Sequence, residues 1–158
     1  MTQPIAHITP RLVRTDSDHS DFRALVALLD HYLAVIDGEE HAFYAQLNKI
    51  DRIRHVVLAY LGPEPVGCGA FREFGPGVVE VKRMYVQPAQ REQGIAAAVL
   101  AELESWAGEL GYTGTVLETG LKQPAAIRLY ERSGYVRTAN YGQYLNVENS
   151  LCLSKQLA

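Results

Sequence analysis

Three strand-like runs follow one another with almost nothing between them. IRHVVLAYL (53–61), VGCGAFREF (66–74) and VVEVKRMYVQ (78–87) are rich in β-branched and aromatic residues. Only Gly-Pro-Glu-Pro and Gly-Pro-Gly separate them. Turns that short leave no room for a crossover, so the three runs must form an antiparallel meander. Everything else in the chain has to pack around that sheet.

Helical patterns flank the meander. In DSDHSDFRALVALLDHYLAVI (16–36), the residues Phe22, Leu25, Val26, Leu29, Tyr32, Leu33 and Ile36 recur at three- and four-residue spacing. The start of this stretch carries cap candidates, and Asp37-Gly38 ends it. EEHAFYAQLNKI (39–50) predicts a second, shorter helix with an acidic first turn. After the meander, Ile95, Val99, Leu103, Trp106 and Leu110 mark one stripe of a helix from about Gln93 to Leu110, closed by Gly111. TGTVLET predicts a strand, and PAAIRLYERS a helix with Pro124 in its first turn and Gly134 as cap. HITPRLVRT is a first strand, and the segment from Tyr135 onward holds two last strands around a Tyr/Asn/Gly-rich loop. The order is βααβββαβαββ, an α/β fold with a mixed, mainly antiparallel sheet in one domain spanning 1–158.

Composition narrows the function. A net charge of −3 without a basic block argues against broad nucleic-acid binding, which needs a dense Lys/Arg surface. No apolar run reaches membrane-span length, and MTQPIAHITP lacks the features of a signal peptide, so neither a membrane nor export is expected and the default location is the cytoplasm. Cys68 and Cys152 sit in apolar, strand-like contexts and read as buried reduced thiols. His31, His41 and His55 have no metal-site spacing, so no metal is expected.

The passage from strand to helix is unusual. REQGIAAAVL (91–100) keeps the first helical turn small, with Gly94 followed by Ile95 and Ala96–Ala98. A helix start carries unpaired N–H groups and the positive end of the dipole. Small side chains there let an anion approach the backbone, and Arg91 adds a positive group. The stretch is neither a P-loop nor a dinucleotide fingerprint, because the required Lys and further glycines are missing. By itself it reads equally as a close-packed, ordinary helix start.

Arg91-Glu92-Gln93-Gly94-Ile95-Ala96 matches an Arg/Gln-x-x-Gly-x-Gly/Ala motif, and AAIRLYERSGY (125–135) matches a second, Ala-x-x-Leu-Tyr-x-Arg/Lys-x-Gly-Phe/Tyr. Together they resemble the GNAT superfamily of acyl-CoA-dependent N-acyltransferases, most strongly over 78–136. The resemblance implies a central sheet with splayed strands, flanked by helices on both faces. It implies acetyl-CoA as acyl donor and a co-substrate site built from Met84, Tyr85 and Val86 for pantetheine. Arg91, Glu92, Gln93, Gly94, Ile95, Ala96 and Ala97 would surround the pyrophosphate. Gln123, Ala126 and Tyr130 would lie by the thiol end. Gln123 stands where the family often has Asn.

Acyl transfer to an amine needs a proton taken from the amine and one given to the leaving thiolate. Glu80, four residues before Met84, matches the general-base position of some family members; its other reading is a salt bridge with Lys82 or Arg83. Tyr130 matches the family's proton donor, or else is a core tyrosine. The adjacent charges Lys82 and Arg83 break the strand's alternation and point to a kink. Arg83 is either a clamp for a substrate carboxylate or a surface residue. Tyr141 and Tyr144 lie in a loop suited to line a substrate site, or in a polar hairpin. The expected activity is acetylation of a primary amine on a small molecule or amino-acid-like metabolite by direct attack in a ternary complex. Acetylation of a protein lysine or N-terminal amine, and a non-catalytic acyl-CoA sensor, are the alternatives. Family members are often dimers, so a homodimer is an open expectation, with no interface marked in the sequence.

Overall fold

The computed structural model describes residues 9–38 and 52–158. Their elements are β1 (Arg11–Thr15), α1 (Ser20–Asp37), β2 (His55–Leu61), β3 (Glu64–Gly75), β4 (Val78–Val86), α2 (Ile95–Glu109), β5 (Gly114–Gly120), α3 (Pro124–Arg132), β6 (Val136–Thr138) and β7 (Ser150–Gln156). The helix expected over 39–50, with His41, lies outside the described residues.

One seven-stranded sheet runs in the order β1-β2-β3-β4-β5-β7-β6. The meander is β2–β3–β4, antiparallel throughout. The β4–β5 pair is parallel, and α2 is its crossover. This gives the mixed, mainly antiparallel sheet that the strand spacing predicts.

Helices cover both faces. Val99, Leu100, Leu103 and Ala107 of α2 pack on Val57, Phe71, Val79 and Val81, and Tyr130 of α3 joins that cluster. Phe22, Leu25 and Leu29 of α1 pack on Val56, Leu58, Ala70 and Tyr85 from the other side. Two details depart from the periodicity. Leu110 is 49% exposed, because α2 has ended before it, and Leu100 and Ala107 widen the buried stripe instead. At α1 the cap is His19, whose Nδ1 accepts from the Asp21 amide at 3.0 Å.

The kink expected at Lys82-Arg83 is a β-bulge. Cys68 pairs with Tyr85 and Ala70 with Lys82, so Arg83 and Met84 together face Gly69 alone. Arg83 takes φ +59°, a left-handed conformation that is uncommon for a non-glycine residue. Gly69 is required by the close approach of α2: a Cβ there would collide with the Met84 sulfur and stand 2.8 Å from Leu103 Cδ1 and 2.9 Å from Val99 Cγ1.

Candidate active site

β4 and β5 pair for only three residues, Val78–Glu80 with Gly114–Val116. Beyond Glu80 they diverge, with β4 bent by its bulge and β5 held along its other edge by β7. The gap becomes a cavity. Val81, Lys82, Arg83 and Met84 form one wall, and Glu118, Thr119 and Gly120 the other. Gln123, Ala126 and Tyr130 of α3 close one side, with Leu29, Leu33 and Tyr144 around the rest. The β4 edge facing this gap has lost its strand partner, so its backbone polar groups there need a ligand or water.

The start of α2 stands next to the end of β4. Gly94 is its cap residue at φ +83°, and no side chain caps the helix. The Ala98 amide makes the first intrahelical bond, to Gly94 O at 3.0 Å. The amides ahead of it belong to the unpaired first turn. Gly94 and Ala97 are exposed, whereas the Ile95 side chain is buried in the core and leaves its amide as the group it can offer. Glu92 is exposed at φ +64°, and Gln93 has a buried Oε1 with no partner among the described residues.

Arg91 is anchored to the end of β4 as well as carrying its charge to the helix start. Its Nε donates to Val86 O at 3.0 Å, and its guanidinium lies over the Tyr32 ring at 4.8 Å and the Tyr85 ring at 5.7 Å. It fastens the loop to the end of β4 and to α1. Tyr85 and Val86 have side chains buried on opposite faces of the sheet, so of the three strand residues only Met84 lines the cavity.

Behind the β4 wall lies a charged cluster. Glu80 is 1% exposed. Its Oε1 accepts from Arg72 Nε at 3.0 Å, with Arg72 Nη2 also 3.0 Å away, and its Oε2 accepts from the Tyr141 hydroxyl at 2.8 Å. The salt bridge expected with Lys82 or Arg83 is therefore made chiefly with Arg72, while Lys82 Nζ stands 4.0 Å off. Glu80 does not line the cavity; Glu118 does. Lys82 is buried, and its ammonium donates to the Tyr144 hydroxyl at 3.0 Å. Arg83, expected as a carboxylate clamp or a surface residue, has a guanidinium held by Asp30 at 2.7 Å with its side chain only 12% exposed.

Burial lowers the Lys82 pKa against the opposing pull of Glu80. Burial also raises the pKa of Tyr130, with Glu118 adding to the shift, so that its hydroxyl stays protonated well beyond the ordinary phenol range. Tyr141 and Tyr144 are raised for the same first reason. Glu80 adds to the shift at Tyr141, and Glu118 then Glu80 at Tyr144.

The loop of Tyr141 and Tyr144 thus joins the site, through Glu80 and Lys82 respectively. Arg72, Lys82 and Glu118 are the residues that sequence reasoning left without a site role. His55 stacks on Phe71 at 4.7 Å and meets Trp106 edge-on, and His31 is exposed. Among the described residues no group of three or more His, Cys, Asp or Glu is placed to hold a metal ion. No described helix is long and apolar enough to cross a membrane. Cys68 and Cys152 are free and buried.

Comparison with known proteins fits this geometry. The acetyltransferase (GNAT) family model matches residues 22–135. An IAA acetyltransferase of Azospirillum brasilense is 34% identical over 136 residues, covering 84% of this chain and 88% of the relative. A candidate acyl-CoA N-acyltransferase from Klebsiella pneumoniae superposes with a TM-score of 0.80 at 28% identity, over 95% of this chain and 99% of the other. A phosphinothricin acetyltransferase from Sinorhizobium meliloti, solved with acetyl-CoA, shares the fold at a TM-score of 0.67 and 20% identity, over 96% and 90% of the two chains.

Proposed function

Because the chain belongs to the GNAT family of acetyltransferases, we propose that it moves an acetyl group from acetyl-CoA to a primary amine of a small molecule, by direct attack within a ternary complex. The observation that carries this reading is the split between β4 and β5. It opens a cavity with Tyr130 in its wall, along the strand that leads on to the uncapped start of α2.

In this reading acetyl-CoA supplies the activated acetyl group. Its pyrophosphate lies on the amides between Gly94 and Ala97, where small side chains and the helix dipole favour an anion. Arg91 shapes that loop from behind. Pantetheine runs along the unpartnered edge of β4 at Met84–Val86, and Gln123 and Ala126 border the thiol end. Tyr130 keeps its proton at the hydroxyl until the sulfur leaves, and then donates it.

The amine must also give up a proton. Two carboxylates stand near, and their surroundings differ. Both oxygens of Glu80 are occupied, by Arg72 and Tyr141. Glu118 reaches the cavity directly. Because Glu118 lines the cavity and Glu80 does not, Glu118 is the carboxylate we place against the amine, while Glu80 holds Tyr141.

The test is thiol release from acetyl-CoA, followed with DTNB, over a panel of primary amines and amino acids. Reproducible turnover supports the reading. Tight acetyl-CoA binding without turnover on any small amine replaces it: with a protein acetyltransferase if protein extract is acetylated, and with a binding protein if it is not.

A further inference from the structure

The bulge in β4 holds one peptide in an unusual setting. Arg83 takes φ +59°, a conformation that a non-glycine residue keeps only where its surroundings hold it. Asp30 of α1 holds the Arg83 guanidinium at 2.7 Å. Cys68 of β3 holds the backbone: its thiol donates to Arg83 O, with Sγ 3.3 Å away. Cys68 is fully buried, and burial pushes its thiol pKa up to about 12, so the proton stays in place at neutral pH.

That contact fixes a direction. β3 lies along one edge of β4, and the gap toward β5 along the other. The Arg83 carbonyl turns toward β3 to meet the thiol. The Arg83–Met84 peptide is trans, so its C=O and N–H point opposite ways. The Met84 N–H is therefore turned away from β3, toward the edge left without a strand beyond Glu80. Met84 lines the cavity, but its sulfur sits over Gly69 of β3, on the side of Val99 and Leu103, so its side chain leads away from the gap.

Acyl transfer puts charge on the thioester oxygen. As the amine nitrogen bonds to the carbonyl carbon, one C=O electron pair moves onto that oxygen. It returns when the C–S bond breaks and the sulfur takes a proton. A fixed N–H aimed at the oxygen stabilises the charged stage without having to reorganise. We propose that Cys68 is a positioning residue for this step: its thiol holds the Arg83 carbonyl toward β3 and so keeps the Met84 N–H aimed at the thioester oxygen. This rests on the acetyltransferase reading above and adds to it a residue that does not touch the reactants.

The test follows the Met84 amide resonance of isotope-labelled protein by NMR, with acetyl-CoA and with CoA. Acetyl-CoA should shift it strongly, and CoA, which lacks the thioester, should not. Cys68→Ala should lower kcat by about tenfold, less than the roughly hundredfold or more for removing such a donor outright, with KM for acetyl-CoA little changed. Cys68→Ser keeps a donor and should recover most of kcat. An equal shift with both ligands overturns the inference, because the amide then serves pantetheine. So does a Cys68→Ala variant at the wild-type kcat, or a Ser variant as slow as Ala with both folded, which marks packing alone. None of these touches the acetyltransferase reading. No wild-type turnover with any amine or protein extract overturns that reading and the inference with it. The wild-type resonance comparison decides even if neither variant folds.

Discussion

Arg72 and Glu80 sit opposite each other on β3 and β4, and two nitrogens of the guanidinium reach one carboxylate oxygen at 3.0 Å. The pair closes the back of the β4 wall. Tyr141 takes the second oxygen, and the Phe74 ring packs edge-on against Tyr141 at 4.8 Å. A charged residue held this way acts first on structure.

Glu80→Gln should therefore lower stability by about 1.5–3 kcal/mol, the usual worth of a hydrogen bond to a charged group. Arg72 is half-exposed, so water can take over its charge and keep the loss below that of a fully buried pair. Urea denaturation measures it. The pH–rate profile should keep its wild-type shape. Glu118→Gln should instead cut kcat/KM most near neutral pH, with the deficit shrinking at high pH as more of the amine is already neutral. If the shrinking deficit follows Glu80→Gln, the base is Glu80.

Tyr130→Phe should keep acetyl-CoA affinity and lower kcat by about a hundredfold, the lower range for general acid catalysis. The Tyr130 pKa is raised by burial, so in the wild type no alkaline fall in kcat should arise from this group near pH 10, the ordinary phenol range. Stopped-flow thiol release over a pH series separates the two claims. A Phe variant at the wild-type rate, with chemistry limiting, makes Tyr130 a core residue only.

The helix start can be tested without straining it. Gly94 holds φ +83°, so a bulky residue there adds backbone strain of about 1–2 kcal/mol to any effect on binding. Ala97 is exposed in the first turn of α2. Ala97→Glu places a carboxylate where a dipole favours it, so stability should hold or rise slightly. The same carboxylate repels a pyrophosphate, so acetyl-CoA affinity should fall by about tenfold or more. Calorimetry and thermal melts read the two opposite effects. Unchanged affinity moves the pyrophosphate elsewhere.

Alkaline stability follows from four tyrosines. Tyr130, Tyr135, Tyr141 and Tyr144 all have raised pKa values in the folded chain, burial first among the causes. Above pH about 10 the unfolded chain loses these protons while the folded chain keeps them. Unfolding then releases protons, and stability falls as pH rises, by up to about 1.4 kcal/mol per pH unit for each such tyrosine. The lowered Lys82 pKa works the other way as pH approaches the ordinary lysine range, but it is one group against these four tyrosines and against Tyr60, Cys68 and Cys152, which burial also raises. Urea midpoints should drop steadily above pH about 10, and a flat midpoint to pH 11.5 refutes the assignment.

By itself the sequence determined the elements of this protein and the hinge between them. Short turns impose the meander, three- and four-residue spacing places the helices, and Gly94 with small neighbours marks a helix start open to an anion. These are local properties, set by a residue and those within a turn of it. Which charges meet was decided only by the tertiary structure. Counting back from Gly75 opposite Val78 would put Glu73 against Glu80, two like charges. The extra residue Phe74 bulges out and brings Arg72 there instead. A second bulge turns Arg83 toward Asp30 and leaves Lys82 in the cavity wall. Arg91, which reads as a ligand for phosphate, also donates its Nε to Val86 O and lies over the Tyr32 ring, contacts that no local pattern shows. Register, bulges and side-chain pairing depend on contacts between residues far apart in the chain, because a shift of one residue reverses the face each side chain takes.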